Sequence, residues 1–439
     1  MKKMKKGNNP KSFLLLILAV IFLASNIALA APAFASAPEE AEIESEEPDT
    51  GADQETDQNA DSDAADTDTT DTNETDPSQF DSIAEAAILI EASTGKVLYE
   101  KNADEALPPA SITKVMTLLL GFEALERGDA SWDDMITISE RAWKEEGSIM
   151  SLEVDTQVRL EDIMTGISVV SANDGCIALA EHLSGSVDAF VQQMNNRAKE
   201  LGMSNTQYQN PNGLPAQGHY MSARDISTVA RHLIMNHPKI LEIESITDFT
   251  FNEIYQVNRN PLLGVYPGAD GLKTGWTEEA GFCLVGTAEQ NGMRLISVVL
   301  KTNDEDERLA ASRELLDFGY LNYELSEVIS EGESVGQGEV KNGKELTVPL
   351  KADESIQVVM QRDRKADIRV NLALDHETIQ APVESGTKVG KAEFRLDDEL
   401  LASTTISTAE HVEKAGFFEI IWRSITNFFR SLFNISTTD

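Results

Sequence analysis

The sequence predicts an α+β fold, and three observations carry that expectation. Strand patterns stand at both ends of one long segment, with helical patterns filling its middle. A shorter segment behind it reads as strands alone, and the chain closes on a single amphipathic helix. Strands contributed from both ends of a segment, with helices segregated between them, give a layered α+β architecture rather than alternating βαβ units.

The N-terminus reads as an export signal over residues 1–37. Lys2, Lys3, Lys5, Lys6 and Lys11 precede an apolar run from Phe13 to Leu23, and Ala33-Phe-Ala35 and Ala35-Ser-Ala37 offer small-residue cleavage sites. Residues 38–82 form an acidic spacer. Between Glu39 and Asp81 stand 18 Asp or Glu and no Lys or Arg. Self-repulsion and scarce large apolar groups leave nothing to offset chain entropy there. The whole chain has 439 residues and a formal charge of −39, which argues against a nucleic-acid partner. Two cysteines make no disulfide framework, and six scattered histidines show no metal-ligand spacing. No metal or cofactor is expected.

The long segment, residues 83–325, opens with a β-hairpin: Ala86 to Glu91 and Lys96 to Tyr99 flank Ser93-Thr-Gly95. A helix from Ser111 to about Arg127 follows Pro108-Pro109. Val115, Met116, Leu118, Leu119, Leu120 and Phe122 cover nearly all its faces, so it belongs in a core, and Gly128 stops it. Leu160 to Val169, Asp174 to Leu183 and Val187 to Leu201 read as helices. Leu272 to Thr274, Phe282 to Ala288 and Leu295 to Lys301 read as strands, the last two joined by the hairpin turn Asn291-Gly292. A helix from Glu307 to about Tyr320 closes the segment. Residues 326–405 are expected as a small all-β domain, from Leu346 to Leu350, Ile356 to Met360, Ile368 to Leu374 and Lys391 to Leu396. Within residues 408–439, Phe418, Ile421, Trp422, Ile425, Phe428, Phe429 and Leu432 recur at helical spacing opposite Arg423 and Arg430. Such a helix fits a membrane interface and is too polar to span.

Three triplets carry the chemistry: Ser111-Ile-Thr-Lys114, Ser171-Ala-Asn173 and Lys273-Thr-Gly275, about 60 and 100 residues apart. A serine hydroxyl is a poor nucleophile until a base takes its proton. Ser111 and Lys114, three apart on a helix, share a face. A lysine rising from a buried helix is pushed towards the neutral amine by desolvation, and by a second ammonium if Lys273 lies near. A neutral lysine can then serve as the base. Ser171 could relay a proton. Asn173 could bind a substrate amide or cap the helix starting at Asp174. Lys273 and Thr274 supply a charge and a hydroxyl for an anionic substrate end. Gly275 lets a substrate backbone lie close, and the Trp276 N–H with that of Ser111 would form an oxyanion hole.

This set, S-x-x-K, S-x-N and K-T-G, resembles the signature of class A β-lactamases and penicillin-binding proteins, with Ala172 in place of its central Asp. Beyond the triplets, Pro109 to Thr117, Ser171 to Asp174 with Cys176, Asn210-Pro-Asn-Gly-Leu214, His219 to Asp225 and Asp270 to Gly275 are similar to the D-alanyl-D-alanine carboxypeptidases. These are low-molecular-mass penicillin-binding proteins of the serine-peptidase type. The resemblance covers about residues 83–405. It implies a β-lactamase-like DD-peptidase fold, a β-rich second domain, and removal of the last D-Ala of peptidoglycan stem peptides through an acyl-enzyme on Ser111. β-Lactams would inhibit covalently, and the terminal helix would sit on the outer face of the cytoplasmic membrane. By the same resemblance Lys114 is the base, Ser171 and Asn173 handle proton and amide, and Lys273 and Thr274 hold the carboxylate. Trp276 departs from the family, which often carries His there. Cys176 and Cys283 are expected as buried thiols, and Arg224, Asp225 and Arg259 as structural. Rival readings are a β-lactamase, which needs a Glu to activate the deacylating water, and an idle wall-binding protein; no such Glu stands out near residues 204 to 224.

Overall fold

The structure, a computed structural model, describes residues 80–433. The expected export signal at 1–37 and the expected spacer up to residue 79 lie outside the described residues, as do residues 434–439. Packing begins at Phe80, three residues ahead of Ile83. Its ring stacks on Phe318 and meets Tyr99 edge-on, each at 4.9 Å. Asp81 pairs with Lys101 at 2.9 Å.

The segment at residues 83–325 is built on one antiparallel sheet. Its opening hairpin is β1 (Ala86–Glu91) and β2 (Val97–Lys101). The chain then forms a single 3-10 turn, Ala110–Thr113, that runs into α1 (Lys114–Arg127). Ser111 thus sits in a 3-10 turn rather than the first turn of an α-helix. Lys114 N–H bonds back to Ser111 O, and Thr113 Oγ1 donates to Ala110 O. Gly128 ends α1 at φ 74°, as a left-handed C-cap. A short ribbon, β3 (Met135–Thr137) with β4 (Gln157–Arg159), brackets the one-turn helix α2 (Glu140–Trp143). The helical layer continues with α3 (Leu160–Val169), α4 (Asn173–Ser184), α5 (Val187–Glu200), α6 (Ala223–Asn236) and α7 (Lys239–Glu244).

A small hairpin, β5 (Asp248–Phe251) and β6 (Ile254–Val257), leads to β7 (Ala269–Thr277), β8 (Gly281–Gln290) and β9 (Met293–Thr302). The sheet order is β2-β1-β9-β8-β7, so the strand carrying Lys273-Thr-Gly275 is an edge. Asn291 and Gly292 turn at φ 51° and 78°, which suits a tight hairpin. Helix α8 (Glu305–Asn322) packs on the other face of the sheet, with Leu315 and Leu316 buried against Leu89 and Leu295. Helix α1 is the centre of the larger core, as its all-round apolar sequence requires: Val115, Met116, Leu118 and Leu119 are fully buried.

The C-terminal part is all-β. A ribbon of β10 (Tyr323–Ile329) and β13 (Ile356–Gln361) adjoins a six-stranded sheet of order β14-β16-β17-β12-β11-β15. Its strands are β11 (Ser334–Lys341), β12 (Thr347–Ala352), β14 (Ile368–Leu374), β15 (Ile379–Gln380), β16 (Lys388–Leu396) and β17 (Glu399–Thr408). Val348, Leu350, Phe394 and Ile406 fill its core. Helix α9 (Phe417–Phe433) ends the described chain. Arg423 donates to Gly343 O and Lys344 O, both at 2.8 Å, and ties α9 to the β domain. Phe418 and Trp422 stay exposed. No described helix is long and apolar enough to cross a membrane.

Candidate active site

The turn that carries Ser111 is held from beneath by groups distant in sequence. Ala110 adopts φ 48°, a left-handed conformation that costs a residue with a Cβ on the order of 1 kcal/mol and persists only where tertiary packing enforces it. Two contacts enforce it here. Gly213 comes so close that a Cβ built there would lie 1.8 Å from Ala110 O. His219 Nδ1 accepts from Gln209 N–H at 3.4 Å, which leaves the proton on Nε2 to be donated to Thr113 Oγ1 at 2.9 Å. Burial lowers the His219 pKa to about 4, so the ring is neutral and can play this role.

The geometry of a 3-10 turn places residues three apart directly above one another. Lys114 Nζ accordingly lies 2.8 Å from Ser111 Oγ, and it donates to Asn212 O at 2.6 Å. The lysine is completely buried. Desolvation drives its pKa down to about 7, with the Lys273 and Arg259 charges acting in the same direction. An amine that gives one proton to a carbonyl and still has a lone pair can accept the proton of a serine hydroxyl.

The second triplet arrives on the α3–α4 junction. Ser171 also has a left-handed backbone, at φ 61°, and its buried Oγ has no hydrogen-bond partner among the described residues. Asn173 does not cap α4; Ala172 holds the cap position and makes no side-chain bond. Asn173 Nδ2 instead donates to Glu146 O at 2.7 Å, while its Oδ1 is buried and unpartnered. The next residue, Asp174, accepts from Met150 N and Leu152 N, both at 3.0 Å, and so fixes the loop bearing Ser148.

Strand β7 forms the facing wall. A Cβ on Gly275 would lie 3.0 Å from Pro109 O and 3.2 Å from Ile112 N, so only glycine lets the strand approach the nucleophile turn this closely. Between the walls lies a cleft of about 530 Å³, lined by Ser111, Ser148, Ser171, Thr274, Gly275 and Trp276. Trp276 is 57% exposed at its mouth and leans on Phe282, with ring centroids 5.8 Å apart. Lys273 is buried beneath this surface and is not among the lining residues. The cations at the cleft are Arg259 and Arg308. Arg259, expected to be structural, makes no ion pair with a described residue. Arg308, from the first turn of α8, is buried with its Nε unpartnered, and its guanidinium lies 3.7 Å from Glu305, a carboxylate that also lines the cleft. Sequence reading passed over Arg308, because nothing local distinguishes it from any helical arginine.

Other expectations fall outside the cleft. Arg224 pairs with Glu100 and Asp104, both at 2.7 Å, and Asp225 accepts from Asn205 N and Thr206 Oγ1. Both are structural, though they do not pair with each other. Cys176 and Cys283 are buried free thiols. A glutamate does approach the site, from a loop rather than from residues 204 to 224: Glu145 Oε2 accepts from Asn212 Nδ2 at 3.1 Å, but it does not line the cleft. A groove of about 470 Å³ bounded by Tyr266, Asp317, Tyr320 and Arg362 holds none of these groups.

A serine hydroxyl beside a buried amine, on a helical layer over an antiparallel sheet, defines a serine hydrolase of the penicillin-binding class. Comparison with known proteins gives the family. Residues 71–304 match the Peptidase S11 model, described as D-alanyl-D-alanine carboxypeptidase, and residues 323–414 match the C-terminal domain of penicillin-binding protein 5. The D-alanyl-D-alanine carboxypeptidase DacF of Bacillus subtilis is 37% identical over 78% of this chain and 89% of its own. Penicillin-binding protein 5 of Haemophilus influenzae superposes with a TM-score of 0.67 at 35% identity, over 75% of this chain and 98% of that one. Penicillin-binding protein D2 of Listeria monocytogenes, solved in an ampicillin-bound form, gives 0.50 at 34% identity, over 54% of this chain and 97% of its own. The chain belongs to the S11 family of serine D-alanyl-D-alanine carboxypeptidases, hydrolases of peptidoglycan metabolism.

Proposed function

We propose that Ser111 is the nucleophile of this carboxypeptidase and Lys114 its base. The supporting observation is the 2.8 Å approach of a fully buried lysine to a cleft-lining serine. Ser111 Oγ attacks the carbonyl of the penultimate D-Ala of a stem peptide, and its proton passes to Lys114. Ser111 N–H and Trp276 N–H receive the oxyanion. Collapse breaks the amide bond, a proton relayed through Ser171 goes to the departing D-Ala amine, and an ester remains on Ser111. Water then hydrolyses that ester. Asn173 orients the substrate amide. Thr274 holds the terminal carboxylate, with Arg259 and Arg308 beside it and Lys273 charging the floor below. Gly275 leaves room for the peptide backbone along the sheet edge. A β-lactam enters as a mimic of that peptide and leaves a lasting acyl group.

The apolar face of α9, with Phe418 85% and Trp422 69% exposed beside an Arg423 that ties the helix to the β domain, supports attachment to a membrane surface. We place the enzyme on the outer face of the cytoplasmic membrane, where the expected export signal would deliver it.

The test is incubation of the protein and its Ser111→Ala variant with a D-Ala-D-Ala peptide and with fluorescent penicillin. The first is expected to release D-Ala and keep the label, and the second to do neither. Release of D-Ala by the alanine variant at the wild-type rate would remove Ser111 from the chemistry. Rapid turnover of penicillin in place of labelling would favour a β-lactamase.

A further inference from the structure

Two glutamates of this fold are wholly buried, and they are treated in opposite ways. Glu91 accepts four hydrogen bonds, from the N–H and hydroxyl of both Ser93 and Thr94, at 2.6 to 2.8 Å. Glu244, the last residue of α7 and 1% exposed, accepts none on either carboxylate oxygen. Ser168 Oγ lies alongside but outside hydrogen-bond geometry, and it too has no partner. A carboxyl without hydrogen bonds or water is costly to keep in a core unless an opposite charge offsets the cost.

The opposite charge comes from β7. Helix α7 packs on this strand, and a Cβ built on Gly271 would lie 3.6 Å from Glu244 Cβ. Two residues further along stands Lys273, and its ammonium favours the ionised form of Glu244. Lys273 is 2% exposed and nearly as isolated, since its Nζ donates only to Thr274 O, at 3.3 Å. The two do not form a contact ion pair. In a low-dielectric interior they need not touch to stabilise one another.

We propose that Glu244 is a positioning residue of the carboxypeptidase reaction: its buried carboxylate holds Lys273 as an ammonium behind Thr274 and so keeps the carboxylate-binding end of the cleft positive. The inference rests on the reading that the substrate carboxylate sits at Thr274. Without Glu244 the balance around Lys273 reverses. Burial, Arg259 and Arg308 all press Lys273 to give up its proton, while the Cys176 thiol, held at about 12 by its own burial, carries no charge near neutrality. As it stands, burial lowers Lys273 against the pull of Glu244, and raises Glu244 against the pull of Lys273.

The sign of the effect follows. Removing a negative charge lowers the pKa of the ammonium it faced, so the alkaline limb of kcat/KM must move to lower pH. In Glu244→Gln that limb is expected to shift by about one unit, an approximately 10-fold loss of kcat/KM at pH values above it. KM should rise more than kcat falls, because the lost charge serves the bound carboxylate. Glu244→Asp, which keeps the charge, should return the limb towards its wild-type position. Lys273→Ala should lose most of kcat/KM at every pH. A folded Glu244→Gln enzyme with an unmoved alkaline limb, beside a crippled Lys273→Ala, overturns the role of Glu244 and leaves the site reading intact. A Lys273→Ala enzyme with wild-type KM overturns both. Should Glu244→Gln fail to fold, carbon-13 carboxyl resonances of glutamate in the wild-type enzyme, assigned against Glu244→Asp, decide the matter. An ionised Glu244 at pH 8 is expected, and one still protonated at pH 9 sinks the proposal.

Discussion

The catalytic segment and the β domain obey different rules about where strain and charge are allowed. In the β domain the only residues other than glycine with left-handed backbones are Asn342, Asp363 and Asp397, each at a turn beside a strand end. Asn and Asp tolerate that conformation through local hydrogen bonding. No charged side chain is buried there; its buried polar groups are Thr404, Ser407 and Thr408. The catalytic segment puts Ala110, Ser151, Ser171, Glu253 and Lys301 into the same backbone region, and it buries Glu91, Lys114, Asp174, Asp225, Glu244, Lys273 and Arg308. Neither alanine nor serine favours φ near 50° to 60°, and an isolated buried lysine would simply shed its proton. The comparison teaches where the chemistry lies. The β domain keeps to local rules throughout, whereas the larger segment breaks them at several places, and two of these, Ala110 and Ser171, flank the Ser111 cleft.

The sharpest way to break that contrast is to relieve the enforcement on Ala110. Gly213 has φ 84°, and a Cβ there would meet Ala110 O at 1.8 Å, a backbone atom that cannot swing aside. Gly213→Ala therefore has to push the nucleophile turn away from Lys114. A displacement of about 1 Å at a reacting group is worth ~10²-fold in rate, and overpacking costs about 1–3 kcal/mol. The expected result is a loss of D-Ala release of at least about 100-fold with a clear fall in Tm. Wild-type kcat/KM in this variant would mean that Ser111 does not depend on its support.

A smaller effect tests the electrostatic half of the contrast. His219 supports the nucleophile turn as a neutral ring, and burial lowers its pKa to about 4 from an ordinary value of 6.5. With the folded pKa depressed, the unfolded chain binds the proton first as pH falls. The contribution is present above about 6.5 and lost as pH drops towards 4. At one unit per 1.36 kcal/mol, the full loss is on the order of 3 kcal/mol. Denaturant unfolding at pH 7 and at pH 4.5 should show wild type losing more stability than His219→Gln. Equal losses in the two proteins would mean that the ring already takes up a proton in the folded state.

Much of this was legible in the sequence because the signals were local. Asn291-Gly292 marked its hairpin, the apolar run of α1 marked a core helix, and Ser111, Lys114, Ser171, Thr274 and Gly275 came together at one cleft. Less local features were not legible. Arg308 reaches the cleft from a helix about 200 residues beyond Ser111, and Glu244 meets Lys273 only because α7 packs on β7. The 3-10 turn at Ser111 was read as α-helix, since Ala110 carries no sequence mark of its left-handed backbone; the cause is Gly213, far down the chain. Lys273 was expected to hold the substrate carboxylate with Thr274; it lies under the cleft surface, where Thr274 takes the lining position.

The smallest expected effect lies in the β domain, and it matters because the contrast requires it to be small. Asp363 stands exposed at φ 63° just after β13. Glycine takes that conformation without strain, so Asp363→Gly relieves the backbone while loosening the unfolded chain, two effects of opposite sign. Stability should change by no more than ~0.5 kcal/mol, as for surface substitutions generally, and D-Ala release should be unaltered. Ala110→Gly relieves the same kind of strain at the nucleophile turn, yet it also frees the turn to relax, so its activity should fall even where its Tm holds. Measured side by side, the two substitutions separate strain that only closes a turn from strain that aims a hydroxyl. Equal, negligible effects on kcat/KM would show that Ala110 is merely another turn residue.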